Sequence, residues 1–202
     1  QFLSGFMQYI FLLAPILPTY PDQEQVVFKI ICLMTETNLE IMLSYYEPEM
    51  LSDLVNYLSS KFQQVCQSSQ NDSNENSLDT DNVDLTKIKE SLSNIYTFIS
   101  NEIQINDQNL HDKAIKVRES ILTRCLDFPN YILEAAFSLN YSISVCNHFA
   151  SMIFYFYSFD ENNSHVLPSM RHFLQRQYAS SDPTGEKNQV IENFIVSVSQ
   201  QN

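Results

Sequence analysis

The sequence predicts an all-α fold, on three observations. Its 202 residues contain only two glycines, although 44% of the residues are hydrophobic and 12% are aromatic. Hairpin turns and phosphate-binding loops both depend on glycine, so β-rich folds, dinucleotide-binding folds and P-loops are disfavoured. Apolar residues also recur at helical spacing between prolines and polar breaks, and the clearest predicted inward stripes are Leu54, Leu58 and Phe62, and Leu85, Ile88 and Leu92. We expect an α-solenoid of degenerate HEAT-like helix pairs, at about 40–47 residues per pair, with a compact multi-helix bundle as the alternative.

Residues 1–66 are predicted to form the first set of helical repeats. The apolar run GFMQYIFLLAPILP is interrupted by Pro15 and Pro18, so we interpret it as a buried helix rather than a membrane segment. Pro21 and the acidic residues after it mark a helix start. The predicted helices span about 2–17, 21–36, 38–46 and 47–66.

Residues 67–84 differ in composition from the rest of the chain. They contain five acidic residues, no basic residue and no aromatic residue, and are otherwise rich in serine and asparagine. Such a segment cannot bury enough apolar surface to order itself, so we expect an acidic low-complexity loop that is disordered at least in part. We interpret it as a passive insertion, with contact to a basic partner as the alternative.

Residues 85–202 are predicted to form the second set of helical repeats. The helices are expected at 84–104, 109–128, 129–159 (one long helix or two stacked helices), 165–180 and 187–200. Residues 143–159 are apolar over more than one stripe, which is typical of a helix packed between neighbours on two sides. Because the sequence begins with Gln1 rather than methionine, we also expect it to be part of a longer protein.

The charge of the chain disfavours some partners and favours others. The formal net charge is −13, which disfavours nucleic-acid backbones and anionic membranes. An acidic protein suits basic peptides or proteins, although solubility alone also explains the charge. The four cysteines are widely spaced, as expected of reduced thiols in a cytoplasmic or nuclear protein.

The stretch SVCNHFASMIFYFYSF combines a cysteine, a histidine and an aromatic run. On a helix, Cys146 and His148 diverge by about 200° and have no second ligand pair at zinc-site spacing. We therefore expect Cys146 to bind no metal and Phe149, Ile153 and Phe156 to lie in the core. With no catalytic motif, cofactor site or metal site found, we expect a non-enzymatic protein that needs no cofactor.

Two charged groups are candidate contacts for a protein partner. The acidic residues concentrate around one inter-helix turn, where they form either a solvated edge or a binding edge for a lysine- or arginine-rich peptide. The basic residues lie in MRHFLQRQY, where they either pair with acids of a neighbouring repeat or contact a phosphate or acidic peptide. The candidates are Glu36, Glu40, Glu47, Glu49, Asp53, Arg171 and Arg176.

A family resemblance covers about residues 85–180. The segment CLDFPNYILEAAFSLNYSISVCNHFASMIFYFYSF, followed by HVLPSMRHFLQRQY with its SxxxFL pattern, resembles the later repeats of the importin-β/exportin (karyopherin) superfamily. The resemblance implies curved stacking of HEAT repeats and binding of basic cargo and the small GTPase Ran on the concave face. It also implies passage through pores lined with Phe–Gly repeats. We thus expect a segment of a nuclear transport receptor, with a non-catalytic scaffold domain of a trafficking or regulatory complex as the alternative.

Overall fold

The structure, a computed structural model, describes residues 5, 9, 19–45, 48–71, 75–104, 107–138, 143–160, 162–179 and 185–199. These residues form nine α-helices and no strand, so the predicted all-α class is confirmed. In chain order the helices are α1 (Pro21–Thr37), α2 (Leu39–Tyr45), α3 (Pro48–Asn71), α4 (Glu75–Gln104), α5 (Gln108–Arg124), α6 (Asp127–Ser138), α7 (Ile143–Phe159), α8 (Val166–Tyr178) and α9 (Glu186–Ser199).

Two of the predicted helices need a separate comparison with the structure. The segment 129–159, expected as one long helix or two stacked helices, is covered by two helices, α6 and α7, and α6 begins two residues earlier than expected, at Asp127. Pro129 lies in the first turn of α6, where its missing amide hydrogen leaves no intrahelical bond unmade. The helix predicted at about 2–17 lies outside the described residues, apart from Gly5 and Tyr9.

The expected acidic loop is where the helix bounds depart most from the sequence prediction. We expected a loop over 67–84, whereas α3 continues to Asn71 and α4 begins at Glu75. Once a helix is nucleated and packed, each added residue gains a backbone hydrogen bond, so polar sequence can extend it. The packed parts of α3 and α4 supply such nuclei, and composition alone does not reveal them.

Helix α4 has the largest number of neighbours in the described part of the chain. It packs against α1, α2, α3, α5 and α7. Helix α3 contacts α4, α5 and α6, while α8 lies against α6, α7 and α9. The apolar stripes predicted on these helices face inward: Leu54, Leu58 and Phe62 of α3 are buried, as are Leu85, Ile88 and Leu92 of α4. Among the described helices, none is long and apolar enough to cross a membrane.

A chain of aromatic rings links α3, α6 and α7. The ring of Phe62 lies 5.6 Å from that of Phe128 and 5.5 Å from that of Phe149, and Phe128 lies 5.4 Å from Phe156. Tilted and edge-to-face contacts of this kind stabilise a core beyond the area they bury. The prediction that Phe149, Ile153 and Phe156 lie in the core is confirmed.

The turn between α7 and α8 is held by one buried carboxylate. Asp160 accepts hydrogen bonds from the backbone amides of Ser164, His165 and Val166 and from the Ser164 hydroxyl. These amides precede or begin α8 and would otherwise lack intrahelical partners. Asp160 therefore fixes the direction in which the chain enters α8.

Candidate partner-binding surface

Not all of the acidic residues predicted as partner contacts are free to pair with a partner. Glu36, Glu40 and Glu49 are exposed on α1, α2 and α3, and Glu47 lies outside the described residues. The carboxylate of Asp53 lies 2.6 Å from a terminal nitrogen of Arg124. Asp53 thus ties α3 to α5, in a cluster that also includes the hydroxyl of Ser52.

The structure brings Glu40 together with two carboxylates that the sequence analysis did not single out. Glu102 lies in the last turn of α4, and Asp107 caps the N-terminus of α5. These three residues lie on α2, on α4 and at the start of α5. Each of these three helices contacts the other two. We call the group Glu40, Glu102 and Asp107 the acidic junction.

Glu102 is the least compensated member of the acidic junction. Its residue is only 8% exposed, and its Oε2 atom has no hydrogen-bond partner. Burial raises the pKa of its carboxyl group, and the nearby carboxylates of Glu40 and Asp107 raise that pKa further. Glu102 also lies at the C-terminal, negative end of the α4 dipole, where an anion is disfavoured. Burial, the two neighbouring carboxylates and the helix dipole therefore all disfavour the negative charge of Glu102.

The other polar groups near the acidic junction are already engaged. Asp107 accepts hydrogen bonds from the backbone amides of Asn109 and Leu110, so the N-terminus of α5 stabilises it. The Lys113 ammonium donates to the backbone carbonyl of Ser44 at 2.7 Å. Within the described part of the chain, no ion pair forms with Glu102. Among the described residues, the junction is thus a group of carboxylates with which no lysine, arginine or histidine forms an ion pair.

The sequence contains a weak signal for this site. Of the nine helices, only α5 and α8 have a basic residue in the last turn, and α4 instead ends near a glutamate. Acidic residues on both sides of the α4–α5 connection could have marked it as unneutralised. The contribution of Glu40 could not have been found in this way, because it comes from a helix more than sixty residues earlier in the chain.

A second charged cluster is enclosed between α1, α3 and α4. The Lys61 ammonium lies 3.1 Å from the Glu24 carboxylate and 3.8 Å from that of Asp84. It also lies 5.4 Å from the ring centroid of Phe28. All three charged residues are buried, so this cluster fastens three helices together and presents little surface to a partner.

The two arginines predicted as partner contacts both lie on α8 but have different surroundings. Arg171 forms a bidentate ion pair with Glu192 of α9, at 2.9 and 3.0 Å. Of the two interpretations left by the sequence, pairing with a neighbouring helix therefore describes Arg171. Arg176 is exposed in the last turn of α8, where its charge complements the helix dipole.

Cys146 and His148 lie on different sides of α7. Cys146 is exposed, whereas His148 is half-buried with Nε2 3.4 Å from the hydroxyl of Thr86. Burial lowers the pKa of His148, and Lys89 lowers it further. No metal-binding group of histidine, cysteine, aspartate and glutamate side chains occurs among the residues that the structure describes.

The four cysteines are expected to differ sharply in reactivity. Cys32, Cys66 and Cys125 are buried, and burial raises the pKa of the Cys125 thiol to about 12 and also raises that of Cys32. The thiolate is the reacting species, so Cys146 should be modified first by a thiol reagent. Counting thiols over time in native protein, with a Cys146→Ser variant as the control, checks this. A fast phase that persists in that variant would contradict it.

Comparison of the chain with protein-family models, with curated proteins and with solved structures finds no match.

Proposed function

We propose that this chain is a non-catalytic helical scaffold that binds basic segments of other proteins, and that the acidic junction is its main contact. The observation that carries the proposal is Glu102, a buried carboxylate with one oxygen atom lacking a hydrogen-bond partner. A lysine or arginine side chain from a partner would supply the missing positive charge beside this carboxylate. The net charge of −13 would attract such a segment over a longer range.

The chemistry of the junction favours a basic side chain over a metal ion. Metal sites need several ligands converging on one point, and none is found among the described residues. A lysine ammonium carries three donors and an arginine guanidinium five, so either can bridge carboxylates of different helices. Glu40 and Asp107 would then share the charge of the side chain that pairs with Glu102.

Binding of a labelled lysine- and arginine-rich peptide, followed by fluorescence anisotropy, tests the proposal. We expect affinity to fall as salt is raised through about 0.1 M, where the screening length is about 10 Å. Glu102→Gln should weaken binding about tenfold, since a charge-assisted hydrogen bond is lost. Glu119→Gln, the same charge change at an exposed position on α5, serves as the matched control. Absence of binding, or equal affinities for the two variants, would contradict the proposal.

We propose a solenoid of HEAT-like pairs as the arrangement of the helices. Contacts between consecutive helices, such as α3 with α4 and α6 with α7, support it. Contacts between helices three places apart, α1 with α4 and α4 with α7, are also made in a compact bundle. Small-angle scattering distinguishes the two: a compact chain of this length has a radius of gyration of about 17 Å. We expect a clearly larger value, and a value at the compact limit would favour the bundle.

The more specific proposal is a segment of a nuclear transport receptor that binds basic cargo or Ran, in the cytoplasm or the nucleus. Its support is the resemblance of residues 85–180 to importin-β/exportin repeats, together with the acidic charge. A solenoid gains affinity from many weak contacts along one surface, which suits a flexible basic segment. Binding of such a segment that is unchanged by purified Ran would argue against this version while leaving the general proposal intact.

A further inference from the structure

A second candidate site is a pocket between α3 and α6, which shares no described residue with the acidic junction. Its volume is about 290 Å³. This is just below the range of about 300–1,000 Å³ that is usual for ligand pockets, so the pocket suits one side chain better than a large ligand. It is lined by Phe62, Gln63, Cys66, Gln67, Tyr131, Glu134 and Ala135.

The charge of the pocket is negative. Glu134 is exposed on α6, and it forms no ion pair within the described portion of the chain. None of the described lining residues is basic. The sequence also contains no lysine or arginine from 125 to 170, so neither α6 nor α7 can supply a cation to Glu134. A cation entering the pocket would therefore meet no lysine or arginine of α6 or α7.

The remaining lining groups select among cations by shape. Tyr131 is half-buried and is one of the two aromatic residues that line the pocket. An aromatic face attracts a cation and stacks well on the planar guanidinium of arginine. The carboxylate of Glu134 and the amide oxygen of Gln63 are acceptors for the several donors that a guanidinium carries. A lysine ammonium has a compact charge and no planar face to stack.

We propose that this pocket takes an arginine side chain from the bound basic segment. The inference rests on the proposed function, because an arginine reaches the pocket as part of that segment. The acidic junction and the pocket would then hold two basic side chains of one segment. Two linked contacts bind more tightly than either does alone, provided that the segment spans both.

The experiment compares three labelled basic peptides that differ at a single position, occupied by arginine, lysine or glutamine. Each is titrated by fluorescence anisotropy against the wild-type protein, Glu134→Gln and the control Glu119→Gln. We expect the order arginine, lysine, glutamine in the wild type, with about a tenfold loss from arginine to glutamine. Glu134→Gln should weaken the arginine peptide about fivefold and reduce its advantage over the lysine peptide. Glu119→Gln should retain the wild-type order.

The outcomes separate this inference from the proposed function. Binding that is weakened by Glu102→Gln, but keeps its full preference for arginine in Glu134→Gln, would overturn the pocket and leave the acidic junction standing. Failure of the wild-type protein to bind any of the three peptides would overturn the proposed function as well. A preference for arginine that is lost in Glu134→Gln and kept in Glu119→Gln would support both.

Discussion

Replacing Lys61 with methionine is expected to lower the free energy of unfolding by about 3–5 kcal/mol. The substitution keeps most of the side-chain volume but leaves the carboxylates of Glu24 and Asp84 buried without their shared cation. Their mutual repulsion, with little water to screen it, then acts directly on the packing of α1, α3 and α4. The contact of the ammonium with the Phe28 ring is lost as well. Urea denaturation of the purified variant measures the effect.

A second variant shows whether unpaired charge causes the loss. Combining Lys61→Met with Glu24→Gln and Asp84→Asn removes all three charges and should recover much of the lost stability, because buried ion-pair clusters contribute little beyond compensating for their own desolvation. If Lys61→Met alone changed the free energy of unfolding by less than about 1 kcal/mol, the cluster would behave as a surface ion pair. That result would contradict the burial described for these residues.

The second large effect is expected at the centre of the aromatic core. Phe62→Ala should lower the free energy of unfolding by about 3–5 kcal/mol, because it opens a cavity beside Phe128 and Phe149. Phe154→Ala is the matched control, since Phe154 is exposed on α7 and should cost far less. Thermal or urea unfolding of both variants provides the measurement. Equal losses would mean that Phe62 is not the contact point of α3, α6 and α7.

The aromatic core shows how much of the fold could be predicted from the sequence. The helical spacing of Leu54, Leu58 and Phe62 predicted one inward stripe, and all three residues are buried. Periodicity works here because burial is the dominant stabilising contribution and repeats with the helix. It reports which face of a helix is inside, and it gives no information on which helix that face will meet.

The charged clusters could not be predicted, because they depend on which helices pack against one another. Lys61 lies on α3 between residues far away in sequence, with Glu24 on α1 and Asp84 on α4. Nothing local distinguishes it from an exposed lysine. Glu102 is similar, since its burial and its lack of a partner follow from the way α2, α4 and α5 meet. The sequence therefore predicted an acidic edge that includes Glu40 and missed the residue that we propose completes it.

The central claim is that the acidic junction lacks a cation that a partner supplies. A buried carboxylate without a cation should lower the free energy of unfolding of the free protein, as functional sites often do. The pKa of Glu102 is raised in the folded state, whereas in the unfolded chain a glutamate has a pKa of about 4.3. Ionisation of this carboxyl group therefore costs stability as the pH rises above about 4.3. Glu102→Gln removes that cost, so its advantage should be small near that pH and larger at neutral pH.

The most direct test is the free energy of unfolding of the wild type and Glu102→Gln at neutral pH, each measured with and without the basic peptide. Without peptide, the variant should be the more stable of the two. With peptide, the wild type should gain stability and the variant should gain much less. A variant that is less stable without peptide, or that gains as much from the peptide as the wild type, would contradict the account.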